Sequence, residues 1–159
     1  MGDKKTTLYI IQGFIGAGKT TFSRKLALET GAIHLNPDEW VSKLYSKEEY
    51  MKNWDMCFDK TVSFLWNKVR EFLLSGYDVI FDMGFWYKKD RNFARTLANE
   101  CNANFKHYYL YVSDDILKER IVSDRPKHWA KIHLENFDQN KQNFEEPEED
   151  ESPIIVNNF

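Results

Sequence analysis

At 159 residues the chain is long enough for one α/β domain with a real core, spanning residues 1–159, and too short for two nucleotide-handling domains. Its net charge of −3 hides an uneven spread: the run Glu145-Glu146-Pro147-Glu148-Glu149-Asp150-Glu151 holds six of the 25 acids, leaving 22 basic residues against 19 acidic ones elsewhere. That slight basic excess suits an anionic small ligand and lacks the basic stripe of a duplex binder, the strand-length apolar runs support neither a membrane span nor a signal peptide, and the scattered Cys57 and Cys101 fit free thiols in a reducing, cytoplasmic setting.

The opening Met1-Gly2-Asp3-Lys4-Lys5-Thr6 fits the loose N-myristoylation pattern, which is common by chance. A first strand is predicted at Thr7–Gln12. It runs into Gly13-Phe14-Ile15-Gly16-Ala17-Gly18-Lys19-Thr20, a complete G-x-x-x-x-G-K-[ST] loop, followed by a helix from Thr20 and Thr21 to Thr30. Glycines let consecutive backbone N–H groups turn toward phosphates, while Lys19 can reach the β/γ-phosphates and the Thr20 hydroxyl can ligate Mg²⁺. The segment Gly13 to Thr21 is therefore the expected nucleotide-binding set, helped by the dipole of the helix it opens.

A second strand, Ala32–Leu35, leads to a short helix opened by Asn36-Pro37-Asp38. Met51, Trp54, Phe58, Val62, Leu65, Val69 and Phe72 recur at three- and four-residue steps, predicting one apolar face of a long helix that ends near Ser75-Gly76. A third strand follows at Asp78–Asp82, then a helix marked by Phe93, Ala94, Leu97, Ala98 and Cys101, and a strand at Phe105–Val112. Ser113-Asp114-Asp115 caps a helix running to about Asp124, which Pro126 ends. The basic, aromatic stretch from Lys127 turns helical to Phe144, residues 145–151 form an acidic solvated loop, and Pro153-Ile154-Ile155-Val156 is expected as a last strand whose loss would expose core. Strands alternating with helices predict a parallel sheet covered on both faces, with ligands at the carboxyl ends of its strands. That rule gathers Gly13 to Lys19, Asn36 to Asp38 and Asp82 to Gly84 on one rim.

Val79-Ile80-Phe81-Asp82 has the form of a strand whose terminal aspartate holds Mg²⁺. The next residue is Met83, where motor and transporter ATPases commonly place a water-activating glutamate, so a dedicated hydrolase is disfavoured. No Asn-Lys pair is followed by Asp two residues on, so guanine specificity is unsupported. Asp38 reads either as a first-turn capping carboxylate or as the group that positions an acceptor hydroxyl and takes its proton. Arg120 and Arg125 read either as a solvated helix end or as arginines of a lid, about residues 124–131, that neutralise a transferring phosphoryl group. Arg91 is either an anchor for an anionic part of the acceptor or a solvated helix start. Trp40, Gly84 and Trp86 lie near the expected rim and complete the candidate acceptor site. The histidines show no zinc-ligand spacing.

The segments GFIGAGKTTFSRKLA, LNPDEW, VIFDMGFWYKKDR and LKERIVSDR together resemble the small P-loop kinases grouped with chloramphenicol phosphotransferase, zeta-type toxins and the kinase domain of polynucleotide kinases. The resemblance runs from Leu8 to about Arg125. It implies a nucleoside-kinase-like P-loop NTPase fold with a five-stranded parallel sheet of order 2-3-1-4-5, ATP as donor with Mg²⁺, Asp38 as base, and Arg120 or Arg125 as lid arginine. Polynucleotide kinases have an arginine three residues past that aspartate, where this chain has Val41. The expected activity is therefore ATP- and Mg²⁺-dependent phosphorylation of a hydroxyl on a small molecule, a metabolite or antibiotic. A polynucleotide 5′-hydroxyl or toxin-like nucleotide-sugar kinase is the runner-up, and an ATP-binding switch with little turnover the third reading. Neither the acceptor nor the oligomeric state is legible in the sequence.

Overall fold

The computed structural model describes residues 4–157, so Gly2 of the myristoylation pattern lies outside the described residues. Five strands, β1 (Thr7–Gly13), β2 (Ile33–Leu35), β3 (Val79–Gly84), β4 (Asn104–Tyr111) and β5 (Ile154–Asn157), form one sheet of order β2-β3-β1-β4-β5. Every pairing is parallel, as the alternation of strands and helices predicts. All seven residues of β1 are buried, which is why the central strand reads as a nearly continuous apolar run.

Among the described residues eight helices accompany the sheet: α1 (Lys19–Thr30), α2 (Pro37–Leu44), α3 (Lys47–Lys52), α4 (Trp54–Leu74), α5 (Lys88–Glu100), α6 (Asp114–Asp124), α7 (Lys127–Glu135) and α8 (Phe137–Asn143). On one face Tyr9, Ile11 and Leu110 pack with Leu26, Leu117, Ile121 and Phe137 from α1, α6 and α8. On the other, Leu8, Ile10 and Phe81 pack with Leu65, Val69 and Leu97 from α4 and α5. Each such side chain stabilises the fold by about 1.5–3 kcal/mol.

The helix expected to begin at Met51 is two helices. Ser46 and Glu49 form a reciprocal capping box that starts α3, and the Asn53 side chain accepts from Met56 N to restart the chain as α4. The buried stripe of α4 is Cys57, Thr61, Leu65, Val69 and Leu73, so Phe58, Val62 and Phe72 lie on its half-buried flank and Met51 is exposed. Two further expectations need correction. Strand β5 pairs only with β4 and leaves Ile155 60% exposed, so it contributes little core. The acidic run is not wholly solvated: it ends in a 3-10 turn, Glu149–Glu151, that buries Glu151 at 4% exposure. Among the described residues no helix is long and apolar enough to cross a membrane.

Candidate active site

The carboxyl ends of β1, β2 and β3 bring the predicted segments together. The phosphate loop leaves β1 at Gly13, and α1 begins at Lys19 directly after Gly18. Gly16 sits at φ +85°, and a Cβ there would come within 3.2 Å of the Leu117 carbonyl oxygen of α6, so both conformation and space require glycine. The side chain of Lys19 curls back over the loop and donates to the Phe14 carbonyl at 3.0 Å.

Asp82 lies near the end of β3, 2% exposed. Its Oδ2 meets His34 Nε2 at 3.3 Å and accepts from Asn36 Nδ2 at 3.1 Å. Asn36 Nδ2 also reaches Thr20 Oγ1 at 3.4 Å, so one amide ties the two expected Mg²⁺ ligands together. Parallel pairing of Leu35 with Phe81 sets this contact, because the residues that follow each are Asn36 and Asp82. Asn36 is also the cap of α2, its Oδ1 accepting from Glu39 N at 3.1 Å.

That cap holds Asp38 in the first turn of α2. Asp38 is exposed yet crowded by neighbouring protein. The crowding pushes its carboxyl above the ordinary range, with Asp82 adding to the effect and Lys19 and Arg125 opposing it. Burial lowers Lys19, against the pull of Asp82 and Asp38, and Arg125 lowers it further. Lys19, Asp38, Asp82 and Arg125 thus share one electrostatic environment.

Hard oxygen donors from a hydroxyl and a carboxylate are what Mg²⁺ takes, and Asp82 makes no ion pair with a lysine or arginine among the described residues. No cluster of three or more His, Cys, Asp or Glu side chains that could hold a metal occurs among those residues. Thr20 and Asp82 could hold such an ion if nucleotide phosphates and water completed its shell.

The other candidates fall in different places. Arg120 lies over the phosphate loop, its Nη1 3.4 Å from the Gly16 carbonyl oxygen. Arg125 is exposed in extended backbone at the end of α6, leading into α7. Trp40 is half-buried beside Phe64 of α4, ring centroids 6.1 Å apart. Gly84 adopts φ +93°, and a Cβ on it would lie 3.3 Å from the Trp86 ring nitrogen. Trp86 stacks on Phe14 of the phosphate loop, centroids 5.2 Å apart and planes at 15°.

Arg91 is the clear correction. It is 1% exposed, and its guanidinium is committed to the Glu151 carboxylate through Nε at 2.6 Å and Nη2 at 3.0 Å. No face remains for an anionic acceptor group. Three residues give no functional signal in the sequence: His34 reads only as a strand residue, and the partners of Gln12 and Glu151 lie 95 and 60 residues away. Asn36 is expected on the rim, but its link to both Thr20 and Asp82 is not legible there.

The family model described as an AAA domain matches residues 8–147, and the chain belongs to that family. No curated protein matches the sequence. Among solved structures, a sugar kinase from Janibacter sp. HTCC2649 is 20% identical with a TM-score of 0.68, the match covering 96% of this chain and 85% of that one. A gluconokinase from Sinorhizobium meliloti 1021 is 17% identical with a TM-score of 0.64, covering 98% of this chain and 84% of that one. A shikimate kinase from Bacteroides thetaiotaomicron is 16% identical with a TM-score of 0.60, covering 96% of this chain and 86% of that one. At these identities the likeness is one of fold: a kinase-like P-loop NTPase.

Proposed function

We propose that this member of the AAA domain family transfers the γ-phosphoryl group of ATP to a hydroxyl of a small molecule. One observation carries the reading: Asp38, Lys19 and Asp82, from three different elements, lie near enough to act on one another's charge beside a complete phosphate loop. Backbone N–H groups of Gly13 to Thr21 cradle the phosphates, and Lys19 swings from the Phe14 carbonyl onto the β/γ-phosphates. Thr20 and Asp82 would hold Mg²⁺, which when bound would neutralise charge on the phosphate oxygens. Asp38 receives the acceptor hydroxyl, orients it and accepts its proton; a carboxyl raised above its usual range is the stronger base for that task. Arg125, with Arg120 nearer the loop, belongs to a lid of about residues 124–131 that closes over the transferring group.

Trp40, in the same helix as Asp38, and Gly84, two residues past Asp82, are assigned to the acceptor side. The fold of the sugar, gluconate and shikimate kinases supports a small hydroxyl acceptor, and kinship with chloramphenicol phosphotransferase, zeta-type toxins and polynucleotide kinases is the narrower part of this proposal. Val41, fully buried, stands where a polynucleotide kinase would present its phosphate-binding arginine. The test is a transfer screen with labelled ATP and Mg²⁺ against hydroxyl metabolites, antibiotics and 5′-hydroxyl oligonucleotides. Label on a small molecule supports the reading, label on the oligonucleotide replaces it with the nucleic acid one, and MgATP binding without transfer to any pool points to a switch.

A further inference from the structure

The turn after Asp82 is held in an unfavourable backbone shape. Gly84 at φ +93° is followed by Phe85 at φ +48°, a bulky residue in the left-handed region and 1% exposed. Such a conformation is costly and persists only where surrounding contacts enforce it. Those contacts converge on Arg91: its Nη1 donates to the Phe85 carbonyl at 3.1 Å, the Trp86 carbonyl at 3.4 Å and the Glu145 carbonyl at 3.1 Å. The opposite edge of the guanidinium is forked onto Glu151.

Glu151 is in turn fixed by Glu148 N, which donates to its Oε2 at 2.9 Å, and by Arg95, which donates to its carbonyl at 2.9 Å. The segment between Phe144 and Ser152 is thus a strap drawn across the turn. Glu145 N donates to the Trp86 carbonyl at 2.9 Å, and Gln12, the residue before the phosphate loop, donates to the Glu145 carbonyl at 2.9 Å. Beyond the turn, the Trp86 ring lies flat on Phe14.

We propose that the buried Arg91–Glu151 pair is a positioning clamp for the nucleotide site: it holds the strained 84–86 turn and, through Trp86 on Phe14 and Gln12 on Glu145, fixes the shape of the phosphate loop. Neither residue touches substrate. The inference rests on reading Gly13 to Thr20 as the ATP site, and the strap that looks like an acidic surface loop becomes part of the apparatus that shapes it.

The test uses the full chain with Arg91→Lys and Glu151→Gln, each alone and with Trp86→Leu, and measures amide hydrogen exchange, MgATP affinity and thermal melting. Lysine keeps the charge opposite Glu151 but cannot reach the three carbonyls, so Arg91→Lys decides the matter if Glu151→Gln does not fold. Faster exchange is expected in both 84–87 and 13–18, with β1 and β3 still protected. MgATP affinity is expected to fall by about 3- to 30-fold, shrinking to less than about twofold when Trp86 is already Leu. Faster exchange confined to 145–151, or a lower melting temperature with unchanged MgATP affinity, overturns the clamp and leaves an ordinary buried ion pair. If wild type binds no MgATP, the proposed function falls, while exchange at 84–87 and 13–18 still decides whether the clamp exists.

Discussion

The side-chain amide of Asn36 donates to the buried carboxylate of Asp82 at 3.1 Å. The same side chain caps α2, so one residue sets both the expected metal ligand and the helix that carries Asp38. Asn36→Ala removes a cap worth about 1 kcal/mol and a hydrogen bond to a charged group worth about 1.5–3 kcal/mol. Asn36→Asp keeps the cap but sets a second carboxylate against Asp82. The expected result is a protein that melts lower in EDTA than in Mg²⁺ by a wider margin than wild type, measured by calorimetry; equal margins would separate Asn36 from the metal site.

Asp38→Asn preserves size and removes the ability to accept a proton. Transfer to the acceptor found in the screen is expected to fall by about 10²- to 10⁴-fold while MgATP affinity stays nearly unchanged. Titration calorimetry alongside steady-state kinetics checks the separation. A weakened affinity with intact chemistry would assign Asp38 to nucleotide binding, and no change in either would return it to a capping role.

His107 predicts an acid-labile fold. Its Nε2 donates to Gln12 Oε1 at 2.7 Å, Nδ1 has no hydrogen-bond partner among the described residues, and the ring is buried. Burial, with Arg91 and then Arg95 in support and Glu151 opposing, lowers its pKa from 6.5 to about 4. The unfolded chain therefore binds more protons between those values, so stability is complete above about pH 6.5 and falls as pH drops toward 4, by roughly 2–4 kcal/mol in all. His133, also lowered by burial, adds a part of the same sign. Melting of wild type and His107→Gln between pH 7 and pH 5 is expected to show a clearly flatter profile for the variant; parallel profiles would show that His107 contributes nothing.

Removing residues 153–159 is expected to cost no more than about 2 kcal/mol, because Ile154 and Ile155 are exposed and the core lies elsewhere. Glu151→Ala is expected to cost more, about 3–5 kcal/mol, since it strands Arg91 as a buried charge. Denaturant unfolding of the two variants checks the order. A truncation more damaging than the point substitution would mean that β5 carries weight its exposure does not reveal.

Much of this architecture was legible in the residues. The alternation of apolar runs with 3.6-period segments points to a parallel sheet, and the loop Gly13 to Thr20 lies at the carboxyl end of its central strand; Asp82 lies near a strand end as expected, and Asp38 in the first turn of the helix after β2. The boundary at Asn53 was missed because the apolar period of α4 continues back through Met51, whereas the break is written in caps, Ser46 with Glu49 and then Asn53. Arg91 was misread because a basic run, Lys88-Lys89-Asp90-Arg91, looks solvated until its partner is known. Nothing local marks Glu151 among six similar acids. Its role depends on which of them the strap turns inward, a fact of tertiary register that no nearby spacing encodes.

The strap also bears on how this protein is made. The hydrogen bond from Gln12 to Glu145 spans 133 residues, and the Arg91 to Glu151 pair draws its second member from near the end of the chain. Long-range closure of this kind comes late in folding, since loop entropy is lost before such contacts form. Strands β1 to β4 and helix α4 all precede residues 145–151 in the chain, so most of the sheet can pair before the strap closes over it. Early in refolding the phosphate loop is expected to be in place but not yet braced by the strap, so the ability to hold nucleotide should appear after the sheet has formed.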